Sequence, residues 1–400
     1  MSARSFRTGD PYRPQHVVWE LTMRCDHACG HCGSRAVKPR PDELDTAELL
    51  QVAARLVELG ALEVTLIGGE AYLHPGVFDV TRALATAGVR VAMQTGGRGL
   101  TLPLARRLRR AGMSAIGVSV DGPEAVHDEL RQARGSHQAA IAALHDAREA
   151  GMVTSVNTQV NRLNHHLMRE TLATLRPTGL RAWRAQLTAP MGRAADHPDW
   201  ILEPYQILGV IDTLAALQVE LAEEAVAQGL PASRILDVQL GNNLGYYGPH
   251  EILLRSRPGK NAQHYPGCMA GLYVLGIESD GKVKGCPSLP SAPYTGGNLR
   301  TMDLAQIWDD TPELRFVRER STDELWGFCK TCLYADVCRG GCSFTSHTTL
   351  GRRGNNPFCY HRAATLKKQG RRERLVQRER AAGEPYDFGR FEIVEEDWVG

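Results

Sequence analysis

Between residues 17 and 187 the chain switches six times from a short apolar run to a longer amphipathic one. The short runs, at 17–22, 63–67, 90–95, 115–120, 154–160 and 182–187, read as strands. The stretches between them read as helices. The first has Asp45 or Thr46 as N-cap, apolar residues at Leu49, Leu50, Ala53, Leu56 and Val57, and Gly60 as its stop. Others are expected near 76–87, 101–111, 136–150 and 165–175. Strand–helix units of about 28 residues in series make an α/β chain with parallel strands and right-handed crossovers. An open sheet and a partial barrel both satisfy that pattern. In either, chemistry gathers at the C-terminal ends of the strands.

Those ends carry the polar and glycine residues. The loop after the first strand holds Cys25, Cys29 and Cys32 in a C-x3-C-x2-C spacing. Three thiolates on one loop can hold three irons of a [4Fe-4S] cluster, leaving the fourth iron open to a small chelator. Structural zinc is the alternative, but zinc sites usually show two separated ligand pairs. Strand two ends in Gly68-Gly69-Glu70, strand three in Gln94-Thr95-Gly96-Gly97, and strand four in Ser119-Val120-Asp121-Gly122. Asn157 lies near the end of strand five, and Arg184 and Gln186 near the end of strand six.

A second constellation follows: Cys268-x12-Gly281-x4-Cys286, then Cys329-x2-Cys332-x5-Cys338-x3-Cys342, then Cys359. Seven cysteines exceed one zinc site and match no simple pair of them. Four hundred residues allow two or three domains. A net charge of +2 gives no electrostatic case for nucleic acid or an anionic membrane. The apolar runs fall short of a membrane span, and the first residues lack the apolar core of a signal peptide. The expected location is the cytoplasm, where thiols stay reduced, so the ten cysteines point to metal and not to disulfides.

The three-cysteine loop, the Gly-Gly-Glu at the end of strand two and the Ser-x-Asp-Gly at the end of strand four resemble the radical SAM superfamily. The later cysteines resemble, one for one, its SPASM extension. The resemblance covers 17–192 and 268–359. It implies a partial (β/α)6 TIM-like barrel with a C-terminal cysteine-rich iron–sulfur domain. The segments expected are an N-terminal extension 1–16, the core barrel 17–192, a connecting helix and loop region 193–262, the auxiliary-cluster domain 263–360, and a C-terminal helix and tail 361–400.

The same resemblance implies three [4Fe-4S] clusters and S-adenosyl-L-methionine (SAM). Cys25, Cys29 and Cys32 would hold the SAM-cleaving cluster. Gly68, Gly69 and Glu70 match the motif that receives the SAM amino group, although Ala71 stands where the family more often has proline. The glycines would let backbone approach the ligand. Ser119 and Asp121 match the pattern that contacts the SAM ribose and its neighbours. Arg131 matches the arginine that pairs with the SAM carboxylate, with Arg134 as the alternative. Gln94, Thr95 and Asn157 are further pocket candidates. Cys268, Cys286 and Cys342 go to the nearer auxiliary cluster, and Cys329, Cys332, Cys338 and Cys359 to the distal one. The nearer set lacks a fourth cysteine, leaving an open iron or a ligand such as His264. No acid, base or second radical residue is identifiable.

The implied activity is reductive SAM cleavage to a 5′-deoxyadenosyl radical, which removes a hydrogen atom from the substrate. Auxiliary clusters favour a net two-electron oxidation. The expected substrate is a ribosomally made precursor peptide, crosslinked through C–C, C–O or thioether bonds. The alternative substrates are a sulfatase Cys or Ser, a small alcohol or a tetrapyrrole. A non-enzymatic iron–sulfur or zinc scaffold, the third reading, predicts no SAM binding. Expected partners are the peptide, an electron donor such as a flavodoxin or ferredoxin, and a separate leader-peptide-binding protein. Two stretches stay open. The Gly-, Asn- and Tyr-rich 239–251, with Tyr246, Tyr247, His250 and Glu251, either roofs the active site or connects domains. The basic run 362–380 and acidic end 391–398 read as a solvated helix and tail, or else as a cover over a cluster or a partner contact.

Overall fold

The computed structural model describes residues 12–399, so most of the expected 1–16 extension lies outside the described residues. Seven parallel strands follow in sequence: β1 (His16–Glu20), β2 (Glu63–Ile67), β3 (Arg90–Thr95), β4 (Ala115–Ser119), β5 (Val153–Val160), β6 (Ala182–Leu187) and β7 (Asp237–Leu240). Three more extend the sheet past β1. β8 (Val274–Ile277) pairs parallel with β1, β9 (Lys282–Lys284) is antiparallel to β8, and β10 (Thr295–Asn298) is antiparallel to β9. The order is β10-β9-β8-β1-β2-β3-β4-β5-β6-β7, a sheet that does not close on itself, with β10 and β7 at its edges, as a partial barrel requires. The first and eighth strands therefore join the two halves of the chain in one sheet. The six expected units gain a seventh parallel strand that the Gly- and Asn-rich sequence after it disguised.

Helices cover the sheet: α1 (Thr46–Glu58), α2 (Val77–Thr86), α3 (Leu102–Ala111), α4 (Glu124–Arg131), α5 (Ser136–Glu149), α6 (Met168–Leu175) and α7 (Ile207–Ala227). Asp45 caps α1 by accepting from Glu48 N–H, and the Glu48 carboxylate accepts from Asp45 N–H in return, a capping box. Short apolar strands buried on both sides match a parallel sheet covered by helices. Trp19, Leu66, Val91, Met93, Ile116, Val118, Val156, Trp183 and Val238 are fully buried. The segment Pro198–Ala227 is long and apolar enough, by length and composition, to cross a membrane. Here α7 buries Ile207, Val210, Ile211, Leu214 and Leu217 in the core. α4 is an addition to the sequence reading, and Arg131 sits in its last turn.

The C-terminal expectation needs correcting. The helix Tyr360–Lys368 stops at Gln369-Gly370, and the rest of the basic run is a strand, β11 (Arg371–Glu379). The acidic end is not a solvated tail but its antiparallel partner, β12 (Arg390–Asp397). Opposite charges face each other across the pair: Arg371–Glu395 at 3.1 Å, Arg372–Glu396 at 2.6 Å and Arg378–Glu392 at 2.6 Å. From 371 onward the sequence period changes from 3.6 to 2, a change masked by the density of charge.

Candidate active site

The cysteine loop leaves β1 and runs across the end of β2. Gly69 N–H donates to Thr22 O at 2.7 Å, and Glu70 N–H to Arg24 O at 2.8 Å. A Cβ on Gly68 would lie 2.3 Å from Thr22 O, and one on Gly69 2.2 Å from Arg24 O. The two glycines thus admit the backbone that carries the cysteines, which is a nearer reason for them than contact with a ligand. Cys25, Cys29 and Cys32 lie close enough for their charges to interact. Burial pushes the Cys25 thiol up to about 12 and Cys29 up to about 11. Donors already face the sulfurs: His27 N–H is 3.4 Å from Cys25 Sγ, Arg131 Nη1 3.8 Å from Cys29 Sγ, and Ser34 Oγ 3.5 Å from Cys32 Sγ. Ten free thiols, Cys29 buried and the other nine half-buried, suit iron–sulfur ligation, because metal charge is what makes desolvated thiolates favourable.

Glu70 is buried beside this trio. It accepts from Thr95 Oγ1 at 2.5 Å and Gly96 N–H at 2.7 Å, and burial pushes its carboxyl up to about 8. Ligand atoms of Cys25, Asp26, His27 and Glu70 all lie within 4.8 Å of one another. Asp26 accepts from Tyr72 Oη at 2.8 Å, and its other oxygen lies 2.9 Å from His27 Nδ1. His27 Nε2 is buried with no partner. An ammonium next to Glu70 would relieve the cost of its burial, which fits a zwitterionic ligand at the trio.

The other candidates separate into two sets. Asp121 is fully buried and already engaged. Arg131 Nε and Nη2 lie 2.8 and 2.7 Å from its Oδ2, His31 Nε2 3.2 Å, and Gln159 N–H donates to Oδ1 at 2.9 Å. Burial would raise this carboxyl, but Arg131 and His31 hold it well below the usual range. His31 Nδ1 faces Leu130 O at 3.1 Å, so each ring nitrogen lies beside an oxygen, one of the backbone and one of Asp121. Arg134 is exposed and outside this cluster. Ser119, Gln94 and Asn157 form the second set, a ladder across β4, β3 and β5. Gln94 Nε2 donates to Ser119 Oγ at 3.2 Å and Asn157 Nδ2 to Gln94 Oε1 at 2.8 Å. All three are half-buried, and Arg184, register partner of Asn157, donates to Gln239 at 2.8 Å.

The later cysteines form two more groups. Cys268, Cys286 and Cys342 interact with one another, and so do Cys329, Cys332, Cys338 and Cys359. Burial raises Cys286 to about 11 and Cys338 and Cys342 to about 12. N–H groups again face sulfurs: Ser288 to Cys286, Thr345 to Cys342, Asn356 to Cys329, Gly341 to Cys338 and Arg362 to Cys359. His264 is exposed, with its ring 6.3 Å from that of Tyr247. The stretch 239–251 divides: Gly241 and Asn243 bond to Ala185 and Leu187 at the end of β6, and Tyr246, Tyr247 and Glu251 pack here. Tyr246 lies tilted against Tyr265 with ring centres 4.6 Å apart, Tyr247 stacks at 4.3 Å on Tyr334, and Glu251 accepts Tyr265 N–H at 2.7 Å. His250 lies 3.4 Å from Asp212 on α7.

The turn between β11 and β12 reaches back to the cysteine loop. Tyr386 N–H donates to Gly33 O at 3.2 Å, and Asp387 pairs with Arg35 at 3.0 Å. The Tyr386 hydroxyl donates to Glu20 at the end of β1, and the buried Lys284 lies 4.1 Å over its ring. Lys284 is two residues from Cys286, so this turn lies between the trio and the second group. No local motif marks Tyr386. His31 stood inside the cysteine motif, but its partner Asp121 is 90 positions away in sequence.

A sequence profile of the radical SAM superfamily matches residues 19–175, and one of the SPASM iron–sulfur cluster-binding domain matches 268–333. The chain is 30% identical over 357 residues to the mycofactocin maturase MftC of Mycobacterium ulcerans, covering 86% of this chain and 88% of that protein. It is 28% identical over 352 residues to the AdoMet-dependent heme synthase of Methanosarcina barkeri, covering 87% and 97%. Among solved structures it is similar to Streptococcus suis SuiB bound to S-adenosylmethionine, with TM-score 0.64, 16% identity, and 87% and 76% of the two chains covered. A second is anSMEcpe with bound AdoMet, with TM-score 0.67, 16% identity, and 88% and 91% covered. The chain belongs to the radical SAM superfamily and carries a SPASM domain. It is an enzyme built on that family's partial barrel, with iron–sulfur and SAM chemistry.

Proposed function

We propose that Cys25, Cys29 and Cys32 hold a [4Fe-4S] cluster with one open iron, that SAM docks there, and that the enzyme oxidatively modifies a ribosomally made peptide through a C–C, C–O or thioether bond. The observation that carries this reading is the buried Glu70 carboxyl within 4.8 Å of the Cys25 sulfur, an acceptor that an ammonium would hold ionised beside a three-sulfur site. Bound SAM supplies, after one-electron reduction, a 5′-deoxyadenosyl radical that removes a hydrogen atom from the substrate.

The chain's own groups do the rest. Gly68 and Gly69 seat the cysteine loop, and Glu70 orients the amino group. Arg131, held by Asp121, keeps positive charge beside Cys29 and would pair with the SAM carboxylate. Thr95 fixes the rotamer of Glu70, and Gln94, Ser119 and Asn157 present amide and hydroxyl groups for the adenosyl half. Cys268, Cys286 and Cys342, and Cys329, Cys332, Cys338 and Cys359, would hold two auxiliary [4Fe-4S] clusters that accept the second electron of the oxidation. The cytoplasm, a flavodoxin- or ferredoxin-like donor and a separate leader-peptide-binding protein complete the proposal.

Similarity to MftC over most of the chain supports a peptide substrate. A second reading, oxidation of a tetrapyrrole or another non-peptide, is supported by similarity to an AdoMet-dependent heme synthase over 97% of that protein's length. An anaerobic assay with reductant, SAM and each candidate substrate, read by mass spectrometry, separates them. Loss of two hydrogens or formation of a new crosslink in a peptide supports the first. Change in the tetrapyrrole alone supports the second, and no deoxyadenosine with either rejects both.

A further inference from the structure

Tyr246 touches residues of both later cysteine groups. Its phenol oxygen accepts Cys342 N–H at 3.2 Å and the Asn356 amide at 3.3 Å, and it donates to Asn242 O at 3.0 Å. Its carbonyl accepts His361 N–H at 3.2 Å and lies 3.7 Å from the Cys359 sulfur. Asn356 makes the same connection a second time. Its side chain reaches Cys342 O at 3.5 Å, and its own N–H faces the Cys329 sulfur. Tyr246 is 1% exposed. A buried tyrosine needs one hydrogen-bond partner to be tolerated. This one has three on its hydroxyl and further contacts on its carbonyl, divided between the Cys342 side and the Cys359 side.

We propose that Tyr246, seconded by Asn356, is the positioning residue that couples the two auxiliary groups, giving electrons a bonded route between them. The route runs from Cys342 N–H to the phenol oxygen, through the ring and backbone of Tyr246, and from its carbonyl to His361 N–H beside Cys359. This rests on the reading that both groups hold [4Fe-4S] clusters. In the transfer the cluster on Cys268, Cys286 and Cys342 loses one electron and the cluster on Cys329, Cys332, Cys338 and Cys359 gains it. A soluble one-electron acceptor protein then removes it. The exit lies at the surface. Leu333 and Val337, inside the Cys332–Cys338 loop, are 74% and 49% exposed, whereas Cys268 and Cys286 pack against a buried cluster that includes Leu289 and Tyr294.

The test uses the full chain, reconstituted anaerobically, reduced, and mixed rapidly with oxidised cytochrome c, a one-electron acceptor too bulky to enter the protein. Freeze-quench EPR follows the two auxiliary signals. In the wild type they should decay together. In Y246F, which keeps the ring and carbonyl, and in N356L, iron content should be unchanged. The signal of the Cys286 group should then outlast that of the Cys338 group, more so in Y246F. A purely structural role would lower iron content and leave the two decays in step. Decay in step in both iron-replete variants, or loss of iron in both, overturns the proposal. Absence of a second auxiliary signal in the wild type would instead reject the cluster reading beneath it.

Discussion

The Arg131 guanidinium joins Asp121 to Cys29: two nitrogens lie 2.7 and 2.8 Å from one carboxylate oxygen, and the third lies 3.8 Å from the sulfur. Deleting one partner of a buried pair costs about 3–5 kcal/mol where it leaves a bare charge, and Asp121 would keep only His31 and the Gln159 N–H. Arg131→Ala should lower unfolding free energy by up to that amount and impair iron loading of the first trio. Chemical denaturation and iron content of the anaerobic protein check both.

Gly69 has no room for a methyl group, because Arg24 O would lie 2.2 Å from it and the Cys25 Cβ 2.8 Å. Backbone must move, and what moves carries Cys25. Gly69→Ala should cost at least about 1–3 kcal/mol. It should also reduce SAM cleavage more than substrate binding. Deoxyadenosine release per cluster, set against peptide affinity, separates the two effects.

Cys286→Ala and Cys338→Ala should leave SAM cleavage measurable while stopping product formation, since each removes one proposed ligand from a different later group. The wild type should titrate to about twelve irons, four per cluster, and to about eight if one auxiliary group is empty. Full product from either variant would reject the electron-outlet role.

Burial, with Arg353 adding to it, holds the His347 imidazole down at about 4, and burial with Arg131 holds His127 at about 3. The unfolded chain protonates both near the model-peptide value of 6.5 while the folded chain stays neutral. Between pH 6.5 and about 4 the unfolded state therefore binds more protons, and stability falls as pH falls, by at most about 1.4 kcal/mol per pH unit for each group. His347→Gln should flatten that slope, as read by denaturant unfolding at pH 5 and 7. An unchanged slope would mean that His347 is not neutral in the fold.

The strands and the cysteines were legible because each follows a short-range rule: apolar period, strand-end punctuation, thiol spacing. β2, β3 and β6 have the ends expected of them. Arg131 was legible as a charge but not as the partner of Asp121, because α4 was not read as a helix. The 371–397 hairpin was missed because charge pairing between distant strands looks, in a single strand, like solvation. Glu20 and Tyr386 are 366 positions apart, and neither sits in a motif. The role of 239–251 depended on packing against two cysteine groups, which no local pattern records.

The turn carrying Tyr386 completes the surroundings of a loop that the ribosome makes well before it. At about 5–20 residues per second, the roughly 350 residues between Cys32 and Tyr386 take ~20–70 s to emerge. During that interval the three thiols stand without their final cover, open to dioxygen and to stray metals. The contacts of Tyr386 with Gly33 and of Asp387 with Arg35 form only once that interval has passed, so the loop gains its last neighbours long after its sulfurs.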